Sequence, residues 1–144
     1  MKPTQEQLNN REAWFAALLS GKYSQGRSVL VNTVTKGYCC LGVAAEVAGV
    51  ERIEDKNDQG RFAFRNYRAD GSPESQAVNF YIGTGMPPFG WFGKQFGLLE
   101  DQGDNLQGQL ANKNDSGDYD FARIVEEAQR QFSEYDTLNA EKNI

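Results

Sequence analysis

The sequence predicts a single compact α+β domain, a small antiparallel sheet packed against about three to four helices. Segments with helical apolar spacing alternate along the chain with short β-prone runs, which is the pattern of that class. At 144 residues the chain can bury one core but not comfortably two. Its hydrophobic fraction of 39%, with nine Phe, six Tyr and two Trp, suits a folded globule rather than a disordered chain. The domain is expected over residues 1–133, with 134–144 as a frayed tail.

Each element has its own warrant. Thr4-Gln5-Glu6-Gln7 fits a capping box just behind Pro3. Leu8, Phe15, Leu18 and Leu19 then recur at helical spacing until Ser20-Gly21 ends the helix. Gly21–Gly37 is polar, with turns on either side of a β-prone run at Val29–Val34. Tyr38–Val47 is apolar almost all round and stops at Gly49, as a buried helix does. Glu51–Gly60 is charged and loop-like.

Arg61–Arg68 alternates as a strand with Phe62 and Phe64 on one face, and Ala69–Pro73 is a turn. Ala77–Ile82 reads as a strand before the breaker-rich GTGMPPFG. Trp91–Leu99 is a short amphipathic segment broken by Gly93 and Gly97. Glu100–Gly117 is polar, and Asp118 or Asp120 is placed to cap a last helix striped by Phe121, Ile124, Val125, Ala128 and Phe132. No internal repeat is visible.

Charge and composition exclude several functions. A formal net charge of −5 disfavours broad nucleic-acid binding, while it permits a local arginine cluster to hold a small anion or an acidic face to meet a basic protein. No run approaches the roughly 18–20 apolar residues of a bilayer span, and the N-terminus lacks the apolar core of a signal peptide. The expected compartment is therefore the cytoplasm, without membrane partners.

Histidine is absent. Ser-His-Asp and Cys-His catalysis are thereby removed, together with the commonest zinc ligand. Carboxylates, Lys, Tyr and an unassisted thiol remain, and no Walker loop, GxGxxG, GxSxG or HExxH occurs. The sequence argues against an enzyme, and neither metal nor cofactor is expected.

Cys39 and Cys40 are the only cysteines. Adjacent cysteines rarely bridge, because the eight-membered ring strains the disulfide and its peptide. Two thiols without His cannot complete the usual zinc tetrahedron. They read as reduced core side chains, at least one of them inside a helix.

Ligand-binding candidates come from four places. Lys22, Tyr23 and Arg27 share a glycine-bounded loop after the first helix. Arg61, Arg65 and Arg68 interleave with Phe62, Phe64 and Tyr67, a pairing that suits phosphates and stacked bases and equally a solvated strand face. Trp91 closes a rigid aromatic loop, as a core plug or an exposed contact. Asn114-Asp115-Ser116-Gly117 reads first as the cap of the last helix, and second as a turn offering amides and a carboxylate to a ribose.

The motifs LLSGKYSQG, YCCLGV and LANKNDSGDYDFARIVEEA, in that order, resemble the signature of a family of small phage and prophage proteins. That family reads approximately S-G-x-Y-x-Q-G, a short hairpin, [FY]-C-C-L-G-V and finally N-D-x-G. The resemblance covers about half the chain and implies an origin and a fold unit rather than an activity. With no catalytic equipment, the expectation is a counter-defence protein that sequesters a nucleotide-derived host immune signal. An acidic inhibitor docking on a host defence enzyme, a small carboxylate-based nucleotide hydrolase, and homo-oligomerisation remain open.

Overall fold

A computed structural model describes residues 2–32, 35–54, 62–65, 80–81 and 87–142. Helix α1 spans Gln5–Leu19 and starts as expected. Thr4 Oγ1 accepts from the Gln7 amide at 3.1 Å, and the Gln7 side chain accepts from the Thr4 amide at 2.9 Å. Its inner face buries Trp14, Phe15 and Leu18, and also Arg11. Trp14 stacks on Phe96 at 5.0 Å and meets Phe92 edge-on at 5.7 Å, while Phe15 touches Phe132 at 6.0 Å.

Strand β1 (Ser24–Gln25) pairs in parallel with β2 (Gly37–Tyr38). An antiparallel sheet was expected beside the helices. Antiparallel pairing is found instead in a second sheet, described below. The Val29–Val34 run contributes one antiparallel bridge, Val31 to Tyr38, leaving the other edge of β2 for Ser24-Gln25.

Helix α2, Cys40–Val47, buries Cys40 through Ala45 without a break. It sits so close to the preceding loop that a Cβ on Gly42 would lie 1.9 Å from the Leu30 carbonyl oxygen. Strands β3 (Glu51–Glu54), β4 (Phe62–Arg65) and β5 (Phe80–Tyr81) form an antiparallel sheet in that order. Glu51–Glu54 is thus extended rather than part of a loop.

Helices α3 (Trp91–Phe96), α4 (Glu100–Ser116) and α5 (Phe121–Lys142) complete the chain. The described residues therefore hold five helices, more than the three to four expected, and the class is α+β with helices dominant. Two corrections concern the C-terminal third. The polar stretch after Leu99 is a helix, with Leu106 and Leu110 fully buried. Residues 134–142, expected to fray, continue α5; Asn139 is buried, and its amide exchanges two hydrogen bonds with that of Gln102, at 2.8 and 2.9 Å. Among the described residues no helix is long and apolar enough to cross a membrane.

Candidate functional site

The three motifs meet at one end of the molecule, where α1 and α4 finish and α2 and α5 begin. Asn114 is the meeting point. It lies in the last turn of α4, buried, with its carbonyl oxygen accepting from the Cys40 amide at 3.2 Å and from Gln25 Nε2 at 3.0 Å. Its Nδ2 donates to the Gly26 carbonyl at 2.8 Å and to Asp115 Oδ1 at 3.2 Å. One side chain thus satisfies backbone groups from two separate loops, which is why a polar residue is stable there.

Its neighbours extend the same network. Asp115 Oδ1 also accepts from the Ser28 amide at 2.8 Å, holding Ser28 in a left-handed conformation at φ 71°. Gln25 Nε2 reaches the Tyr119 carbonyl at 2.8 Å. Gly117 ends α4 at φ 84°, the left-handed close that glycine permits. The Arg27 guanidinium lies over it, so near that a Cβ there would stand 2.8 Å from Nη2.

Asn114-Asp115-Ser116-Gly117 therefore closes α4 instead of opening the next helix. Asp120, the second capping candidate, does that work: its Oδ1 accepts from the Arg123 amide at 2.9 Å. Asn and Asp before Gly satisfy the amides of a following turn and of a following helix equally well, so the motif alone did not separate the two.

The cysteines sit at the start of α2. Cys39 is its N-cap, its Sγ accepting from the Gly42 amide at 3.4 Å, and Cys40 Sγ approaches the Leu110 carbonyl at 3.8 Å. Both are free and buried. The hydrogen bond from the Cys40 thiol, aided by the Gly42 and Leu41 amides, pulls Cys39 below the ordinary thiol range against the opposing effect of burial. The same bond, with burial, pushes Cys40 well above it. The pair is enclosed, so this polarisation serves a helix cap rather than a nucleophile open to substrate.

The remaining candidates divide. Lys22 and Arg27 are exposed at this end, and Tyr23 is half-buried with its ring edge-on to Tyr38 at 4.9 Å. Trp91 is in the core, its ring edge-on to Phe96 at 6.2 Å, and so is a plug rather than a surface contact. Arg65 ends β4 opposite Glu51, while Arg61 and Arg68 lie outside the described residues. The structure adds Arg123 and Lys113, which flank the Tyr119 ring at 4.3 and 5.4 Å. The signal available for Arg123 was an arginine four residues after a tyrosine at a helix start. Among the described residues no cluster of three or more Cys, Asp or Glu side chains could hold a metal ion.

Fold and site define a predominantly helical α+β protein whose loops and helix ends are joined through one buried asparagine. It belongs to the DUF8296 family, a domain of unknown function, whose profile matches residues 7–132. No curated protein and no solved structure matches the chain.

Proposed function

We propose that this is a phage-type binding protein without catalysis, acting in the host cytoplasm as a counter-defence factor that sequesters a nucleotide-derived immune signal. The observation that carries the reading is the position of Lys22 and Arg27. Both are exposed on the loop that carries Tyr23, whose ring meets Tyr38, and that loop is held from beneath by Asn114 and Asp115. A guanidinium fork suits phosphate oxygens, and tyrosine rings suit a base or sugar face. The Arg61, Arg65 and Arg68 series, alternating with aromatics, is the second cationic element of the proposal. Asn114 and Asp115 position that loop and do not touch ligand.

Sequestration needs affinity and no bond breaking, which agrees with the absence of histidine from the chain. The test is incubation with a panel of cyclic mono- and oligonucleotides, gel filtration, heat release and mass spectrometry. Intact ligand recovered from the protein fraction is the expected result. Recovery of hydrolysed product would identify a carboxylate-based hydrolase instead. Ligand left entirely in the small-molecule fraction would favour the acidic inhibitor of a host enzyme. Within the binding reading, Arg27→Ala should weaken the complex by about 1.5–3 kcal/mol, the range for hydrogen bonds to charged groups.

A further inference from the structure

Helices α1 and α5 run antiparallel, as the pairing of Arg11 with Asp136 and of Phe15 with Phe132 requires. Between them, at the end of the molecule away from Asn114, lies an open groove of about 480 Å³. Leu8, Phe15 and Phe132 supply its apolar lining, and Glu12 and Asp136 its carboxylates. Leu19, 59% exposed, prolongs the stripe of Leu8, Glu12 and Phe15 at spacings of four, three and four residues.

The charges in the groove are unequal. Arg11 is its only lining cation, and it is fully engaged. Its Nη1 and Nη2 donate to the two Asp136 oxygens at 2.7 and 3.0 Å, and its Nε donates to the Phe96 carbonyl at 2.7 Å. The guanidinium also lies 4.2 Å over the Phe132 ring. With its side chain 6% accessible and its charge already faced by Asp136, Arg11 offers little surface to an outside anion. Glu12 is exposed, and Asp136, although paired with Arg11, has its side chain 32% accessible. The complement of such a surface is cationic and apolar together.

Its shape narrows the occupant further. From Gln5 to Phe15 the α1 wall runs about 15 Å at 1.5 Å per residue, near three helical turns. A long open trough between two antiparallel helices fits a third helix rather than a compact small molecule.

We propose that the α1–α5 groove docks a basic amphipathic helix of a protein partner. The apolar face of that helix packs on the exposed Leu8 and Leu19, over the buried Phe15, and its Lys or Arg side chains reach Glu12 and Asp136. This surface is separate from the Lys22–Arg27 end, so a bound nucleotide and a bound helix do not compete.

The test uses a fluorescent synthetic peptide of about 14 residues, four helical turns of Leu and Lys in amphipathic spacing. Its control carries Glu in place of every Lys. Anisotropy should show saturable binding of the Lys peptide alone, with the protein monomeric by sedimentation. Glu12→Lys and Leu8→Ser alter exposed side chains, and circular dichroism should show both variants folded. Each should weaken binding about tenfold or more, a difference near 1.4 kcal/mol. Equal affinity of the wild type and both folded variants would overturn the proposal, as would binding of the Glu peptide. So would a groove filled by a second copy, seen as dimerisation that Leu8→Ser abolishes and the peptide does not disturb.

Discussion

At the scale of single residues, the side chains that matter most to this fold are small or polar. Gly42 is there because α2 touches the Leu30 carbonyl. Gly42→Ala should cost more than about 2 kcal/mol in denaturant melts, since the clash is with backbone that cannot rotate away. Asn114→Ala should cost about 2–3 kcal/mol, because it leaves the Cys40 amide and the Gly26 carbonyl without their partner. Asp115→Ala removes the acceptor of the Ser28 amide and of Asn114 Nδ2 at an exposed position, and should cost about 1 kcal/mol. A reversal of that order would show that Asn114 does not join the loops. The burial of the cysteines was legible, because free cysteine packs as a small apolar group. The partners of Asn114 were not, since they come from residues 25, 26 and 40, far away in the chain.

At the scale of elements, legibility followed apolar periodicity. Helix α1 announced itself by cap and spacing, and α5 by its stripe. Helix α4 did not, because its inward face alternates Leu106 and Leu110 with Gln102, Gln107 and Asn114, buried amides that a hydrophobic pattern does not register. The contact between α4 and α5 is likewise partly polar. Glu127 on α5 receives Lys113 from α4 at 2.7 Å and is also gripped by Arg130 and Gln131. These bonds, Arg130 first, lower the Glu127 carboxyl from 4.5 to about 2. A carboxyl depressed in the folded state contributes stability that is complete above its ordinary value and disappears as pH falls from there through the folded value. Glu127→Gln should therefore lower stability by about 1 kcal/mol at neutral pH, in the range of partly exposed ion pairs. The gap between variant and wild type should close as pH drops from about 4.5 towards 2. Urea titrations across that interval check it, and a gap that persists at the acid end would refute the ion-pair account.

At the scale of the whole molecule, the chain is closed by its first and last helices, and the closure is ionic. Arg11, 5% exposed, faces Asp136 across the seam, 125 residues away in sequence. The last residues, EYDTLNAEKNI, carry no apolar stripe, which is why they read as a tail. Residues 135–139 are fixed by Tyr135 against the core and, above all, by polar contacts: Asp136 on Arg11 and Asn139 on Gln102. Cutting the chain after Ser133 should then be costly although it removes almost no apolar core. Asp136→Ala alone should cost about 2–3 kcal/mol, because it leaves a buried guanidinium with only the Phe96 carbonyl and the Phe132 ring for partners. Adding Arg11→Met to Asp136→Ala should recover most of that loss, since methionine can lie on the Phe132 ring and brings no charge. Three melting curves decide the matter: wild type, Asp136→Ala and the double variant. If the double variant is no more stable than Asp136→Ala, the penalty comes from lost helix rather than from a stranded charge, and the ionic closure is the wrong explanation.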